Sequence, residues 1–276
     1  MESAMPSLYL VATPIGNLED ISLRALRILR EVKLIAAEDT RKTRHLLRAY
    51  GITTRLTSYH EQGKGTNTEY LLEFLRDNDV ALVSEAGMPG LSDPGYNLVA
   101  AAAQRGILVV PIPGPSAIVA ALAASALPSV QFLYVGFLPR RRGERQRFLE
   151  SIATEPRTTV ALESPHRLRA SLEDLLAVLG ERRVAIGREL TKVHEETFRG
   201  TLSQAIEYFT QPRGEFTLVI EGKATRDKPE LKAETIRELR HLRRQAVGAK
   251  KAIAQVSATS HLGRRALYRA WLELQI

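Results

Sequence analysis

The residues best placed to do chemistry lie in one stretch, Ala81-Leu82-Val83-Ser84-Glu85-Ala86-Gly87-Met88-Pro89-Gly90-Leu91-Ser92-Asp93-Pro94-Gly95-Tyr96. Its first three residues read as the end of a buried strand, and helical residues resume at Asn97 to Ala103. Between them, Gly87, Gly90 and Gly95 let backbone approach a ligand, while Pro89 and Pro94 fix φ, so the loop is thin and stiff. Ligands of open α/β sheets sit beyond the carboxyl ends of strands, which makes this a binding-loop candidate. The alternative is a plain strand-to-helix turn. The stretch has neither Gly-x-Gly-x-x-Gly spacing nor a P-loop Lys-Ser/Thr pair, which argues against dinucleotides and triphosphates. Two charged clusters accompany it. Glu38, Asp39 and Arg41 read either as a substrate-contacting loop or as a helix cap with a local ion pair. Arg140, Arg141 and Arg142, with Arg145 and Arg147, could track phosphates or form the solvated start of a helix.

The elements that must position these groups alternate strand, turn and helix. Apolar β-like runs fall at 8–12, 34–37, 56–59, 81–83 and 107–112, and again at 131–137, 158–162, 184–187 and 216–220. Helical spacing separates most of them; Ser22 stands where it can cap the first helix, and another helix covers Leu172 to Leu179. The alternation predicts α/β architecture with parallel or mixed sheets. Residues 1–120 form the first α/β domain, 121–224 the second, and 229–276 a basic helical region after a charged linker from Gly222 to Pro229. His60-Glu61-Gln62-Gly63 reads as a flexible loop. In the tail, a turn at Ser257 to Thr259 separates two helices, as in a helix-turn-helix-like pair or a plain αα-hairpin.

The 276 residues include no cysteine, which excludes disulfides, cysteine nucleophiles and Cys-based zinc sites. No metal site is expected. No run approaches the roughly 20 apolar residues of a membrane span, and Met1 to Ser7 lack a signal pattern. These features lead us to expect a cytoplasmic protein. The net charge of +8 is confined to the tail, where Lys223 to Ile276 carry 13 Lys/Arg against 5 Asp/Glu. Such asymmetry points to a polyanion partner or to a solvated helical appendage.

Five segments together are distinctive: residues 12–18 (Ala-Thr-Pro-Ile-Gly-Asn-Leu), 37–41 (Ala-Glu-Asp-Thr-Arg), the glycine/proline loop, 113–117 (Pro-Gly-Pro-Ser-Ala), and 163–167 (Glu-Ser-Pro-His-Arg) with 188–192 (Arg-Glu-Leu-Thr-Lys). In this order and spacing the chain resembles the tetrapyrrole methylase-like family of S-adenosylmethionine (SAM) enzymes, and within it the ribosomal RNA cytidine 2′-O-methyltransferases. The resemblance covers roughly residues 7 to 222. It implies two α/β domains with SAM folded in the cleft between them, a homodimer, and a cytidine of small-subunit (16S) RNA as substrate. By match of motif it implies that Pro14, Glu85, Ala86, Gly87, Met88, Pro89, Ser116, Ala117, Leu162 and Glu163 line the cofactor. This sequence departs from the branch in having Glu85 for aspartate and Met88 for threonine. It also has Ala126 where a glycine is common, which reads as a packing change.

Methyl transfer to a ribose hydroxyl needs a proton acceptor. His60 and His166 start near pKa ~6.5, whereas bringing Lys192 from ~10.4 to about 7.5 would require roughly 4 kcal/mol of differential environment. Histidine is therefore the cheaper base. The other uses are anchoring for His60, helix capping for His166, and phosphate contact for Lys192. Tyr59, Tyr96 and Phe137 could stack on an unstacked base, although core packing is the expected use of Phe137. Competing readings are methylation of a small tetrapyrrole or a protein side chain, and RNA binding without catalysis. The basic tail and arginine run favour RNA.

Overall fold

The computed structural model describes residues 6–60, 67–224, 233–245, 247–260 and 262–274. The expected loop residues 61–63 and most of the expected linker, 225–229, lie outside them. The chain divides into two compact units, the first ending at Lys223 and the second beginning at Ala224.

The first unit contains two five-stranded sheets. The first joins β1 (Ser7–Val11), β2 (Leu34–Ala37), β3 (Leu56–Ser58), β4 (Val80–Val83) and β5 (Leu108–Ile112). They are all parallel, in the order β3-β2-β4-β1-β5. Its central strands are short continuous apolar runs because helices cover both faces. On one face Val11, Ile35, Ala37 and Val83 pack against α1 (Leu23–Glu31) and α2 (Thr40–Ala49). On the other, Leu8, Leu34, Ala36 and Leu82 pack against α3 (Thr68–Phe74) and α4 (Tyr96–Gln104). Ser22 caps α1, accepting from the Ala25 N–H at 3.1 Å.

The second sheet is mixed. It runs β6 (Phe132–Phe137), β7 (Thr158–Glu163), β10 (Phe216–Ile220), β8 (Arg183–Arg188) and β9 (Glu196–Thr201) in spatial order. Ala161, Ile186 and Leu218 pack against α6 (Arg142–Ser151), α7 (Pro165–Leu179) and α8 (Leu202–Tyr208). Val160, Ala185 and Val219 face α5 (Ala117–Ala124) together with Ile15 and Leu190. The second unit has α9 (Ala233–Arg244), α10 (Ala249–Ser260) and α11 (Arg264–Glu273) around Leu239, Val256 and Leu267. Arg243 donates from Nη1 to the carbonyls of Trp271 and Leu274 at 2.6 and 2.8 Å, closing the end of α11.

Three expectations are corrected. Helix α7 starts at Pro165 rather than near Leu172, with proline in its first turn, where the missing N–H costs nothing. Residues 257–259 are helical, because α10 continues to Ser260. Ala126 is more than a packing change, since it follows the end of α5 with φ +59, in the left-handed region that favours glycine. Ala126→Gly should therefore raise stability by about 0.5–1 kcal/mol, the relief of strain exceeding the added chain entropy. A rise in the urea midpoint at unchanged slope would register it.

Candidate active site

All five strands of the parallel sheet end at one edge, which places Thr13, Glu38, His60, Ser84 and Pro113 in the loops there. Two of those loops are tied by backbone: Thr13 N–H donates to the Gly87 carbonyl at 2.9 Å, and Gly87 N–H donates to the Thr13 carbonyl at 3.0 Å. Gly95 lets the glycine/proline loop fold back on itself. Its φ is +142, and a Cβ there would meet Leu82 Cδ2 at 3.0 Å and the Gly90 nitrogen at 3.2 Å.

Two cavities adjoin at this edge. The larger, about 390 Å3, is lined by Glu85, Ala86, Gly87, Met88, Ser116, Ala117, Leu162 and Glu163, all named from sequence. A recess of about 240 Å3 lies beside it and takes in Pro14 and Lys192. Ile15, Glu85, Ala86 and Glu215 border both. Pro89 is buried and borders neither.

Several charged groups turn out to be occupied. Asp39 caps α2, accepting from Arg41 N–H at 2.8 Å and Lys42 N–H at 3.4 Å. Those backbone hydrogen bonds, Arg41 first, hold its pKa below the usual range. Its ion pair with Arg41 makes this the capping arrangement. Burial raises the pKa of Glu38, and neighbouring Glu85 raises it further. Glu38 Oε2 is buried and has no hydrogen-bond partner among the described residues. The Glu85 carboxylate is ion-paired with Lys42. Glu163 accepts from Ser164 N–H at 2.7 Å and the Ser171 hydroxyl at 2.6 Å, and pairs with Arg167 at 2.6 Å. Its carboxylate is therefore committed to the start of α7.

Lys192 bonds Glu189 and Glu215, each at 2.9 Å. Burial alone would lower its pKa, but these hydrogen bonds outweigh it and raise the pKa, so the ammonium stays protonated at neutral pH. It belongs to a turn in which Glu189 and Thr191 both have positive φ, +49 and +68. Thr191 Oγ1 accepts from Asn17 N–H at 3.0 Å. The lysine stem lies over Gly16, where a Cβ would come within 2.4 Å of Lys192 Cγ. Strained, non-glycine turns of this kind persist where the surroundings fix them.

Neither predicted histidine borders either of these two cavities. His60 is exposed at the sheet edge, close enough to Glu38 to lower that carboxyl's pKa. His166 is exposed on the first turn of α7. Arg140 and Arg141 are exposed, and Arg142 reaches Asp174 while remaining largely exposed. Arg145 is removed from the phosphate-tracking run, because it is buried against Asp174. Tyr59 is buried and unavailable for stacking, Tyr96 is exposed, and Phe137 is half exposed on the wall of the larger cavity rather than in the core. Sequence reading gave no role to Lys42, His45 or Asp93, which border the cavities. The available signals were the place of Asp93 inside the glycine/proline loop and that of Lys42 next to the Glu38-Asp39 cluster.

The profile of the tetrapyrrole (corrin/porphyrin) methylases matches residues 7–206. The chain belongs to this family. Among its relatives, the ribosomal RNA small subunit methyltransferase I of Synechocystis sp. is 48% identical, over 98% of this chain and 99% of the relative. The Bacillus subtilis protein of the same name is 40% identical, over 98% and 95%. Among solved methylase structures, uroporphyrin-III-C-methyltransferase from Thermus thermophilus matches with TM-score 0.53 at 22% identity, over 79% of this chain and 94% of that one. A diphthine synthase matches with TM-score 0.60 at 17% identity, over 78% and 89%. These two likenesses establish the methylase fold and nothing finer.

Proposed function

We propose that the chain methylates small-subunit ribosomal RNA with SAM as donor, at the 2′-hydroxyl of a cytidine. The observation that carries this is the pair of adjoining cavities at the carboxyl edge of the parallel sheet, one sized for a small ligand and the other open beside it. The larger cavity fits the donor, with an apolar wall that includes Ile15, Met88, Leu162 and Leu190 and a thin rim at Gly87. Bound there, SAM supplies the electrophilic methyl group. Ala86, Gly87, Ser116 and Ala117 would hold it, and Glu163 would serve by fixing the start of α7.

The recess would receive one unstacked nucleotide, with Pro14 on its wall and Lys42 and Lys192 as cations beside it. A recess of about 240 Å3 suits a nucleotide better than a macrocycle. Lys192, held protonated, acts on phosphate rather than as the base. Lys192→Met should raise the KM for RNA on the order of tenfold and reduce the salt slope of binding by about one. The pH profile of kcat should stay where it is; a displaced limb would return the base role to Lys192.

Arg140 and Arg141 would extend the phosphate track. We also propose a homodimer, supported by the exposed apolar side chains of Leu108 on edge strand β5 and Phe132 on edge strand β6. Sedimentation would measure it. Among the described residues, no helix is long and apolar enough to cross a membrane. Mass spectrometry of ribosomal RNA from cells with and without this chain tests the function. The expected result is one 2′-O-methylcytidine present only with the chain, and identical RNA in both strains would sink the proposal.

A further inference from the structure

The wall of the larger cavity contains four carboxylates, Glu85, Asp93, Glu163 and Glu215, and no lysine, arginine or histidine. Three of the four are matched by a cation standing behind the wall: Glu85 by Lys42, Glu163 by Arg167 and Glu215 by Lys192. Asp93 has no cationic partner among the described residues. Its neighbours are the Ser84 hydroxyl, which hydrogen-bonds to it, and the carboxylates of Glu38 and Glu85. Tyr134, from β6, also faces it and hydrogen-bonds Ser92 at 2.6 Å. An apolar cavity with one uncompensated carboxylate is built for a ligand that brings a positive charge.

We propose that Asp93 binds the cationic methionine end of the donor, its ammonium or sulfonium, and that donor binding drives a proton off this carboxyl. The inference rests on the donor reading of the cavity. Asp93 without a ligand has its pKa pushed up to about 6, by burial first and then by the charge of Glu38, with Glu85 adding to it. A cation against the carboxylate favours the ionised form. Binding should therefore release a proton below about pH 6 and weaken on acidification. The donor's own α-amino and α-carboxyl groups titrate outside the range pH 5 to 7. At pH 5 roughly one Asp93 in eleven is ionised, so the Kd should be about tenfold higher than at pH 7. The ionisable groups nearby are Glu38, whose pKa is also raised, and His60, whose charge acts on Glu38.

Calorimetry of SAM binding to the full chain tests this, at pH 5.5 and 7.0 in two buffers of different ionisation enthalpy. The expected result is proton release at pH 5.5, little at pH 7.0, with the Kd rising on acidification. Asp93→Asn should flatten that pH dependence, His60→Gln should keep it, and Glu38→Gln should keep it while moving it to lower pH, because one charge that raises the Asp93 pKa is gone. S-adenosylhomocysteine keeps the ammonium and lacks the sulfonium charge. Retained proton release with it places the ammonium at Asp93, and release seen only with SAM places the sulfonium there. SAM binding without proton release, or a pH dependence that survives Asp93→Asn, overturns the inference and leaves the donor cavity standing. No SAM binding at either pH overturns the cavity assignment itself.

Discussion

Asp174→Ala is expected to cost the first unit about 3–5 kcal/mol, because it leaves a guanidinium buried without its counter-charge. The Arg145 and Asp174 side chains are 4% and 3% exposed. Asp174 Oδ2 accepts from Arg145 Nε and Nη2 at 2.9 and 2.6 Å, and Oδ1 accepts from Gln146 at 3.0 Å. Arg145 Nη1 also bonds the Pro139 and Arg140 carbonyls, so the same guanidinium holds the chain entering α6. A fall in Tm of roughly 10 °C should accompany the loss. Burial alone would raise the Asp174 pKa, but hydrogen bonds from Arg145 and Gln146 outweigh it and lower it. A carboxyl with a depressed folded pKa stabilises above its unfolded pKa and loses that contribution as pH falls through the folded value. The gap between wild type and variant should therefore narrow in acid, below the ordinary aspartate range. Arg141→Ala, which removes an exposed pair with Glu144, should shift stability by less than about 0.5 kcal/mol. Joint replacement of Arg145 and Asp174 by Met and Leu should restore most of the loss. An Asp174→Ala protein with a wild-type midpoint would refute the buried pair as a determinant of stability.

Filling the larger cavity should produce the largest functional loss. Ala117 starts α5 directly after its cap, Ser116, whose hydroxyl accepts from Val119 N–H at 3.4 Å. A phenyl ring grown from a methyl that lines the cavity enters the cavity, so Ala117→Phe should weaken SAM binding on the order of 100-fold, equivalent to about 3 kcal/mol of steric exclusion. Circular dichroism and RNA affinity should change little, because the exposed Arg140 and Arg141 and the recess lysines are untouched. Equilibrium dialysis with labelled SAM reads the effect. Unaltered binding would mean the donor lies elsewhere.

What could be read from sequence follows from how each element is buried. Phe216–Ile220 and Leu34–Ala37 are visible because a strand covered on both faces must be apolar throughout. Glu196–Thr201 escaped notice because it is an edge strand of half-buried, mostly polar residues, and α8 after it was missed with it. The start of α7 was misplaced because its first turn is polar and held by Glu163, Arg167 and Ser171. In the site, motif residues of three loops line one cavity, while Pro14 borders the recess beside it and Pro89 borders neither. The charge pairing across it was invisible in sequence. Glu85 and Lys42 are 43 positions apart, and Lys192 and Glu215 are 23 apart. Arg145 and Arg141 look alike in sequence, and only the fold buries one of them.

The reciprocal bonds between Thr13 and Gly87 have a mechanical consequence. They weld two segments, far apart along the chain, into a single bank shared by the recess and the larger cavity. Neither segment can swing aside alone, since departure of one breaks both bonds at once. Traffic in and out must then be accommodated by the opposite bank, or by a motion that carries the welded pair as one piece.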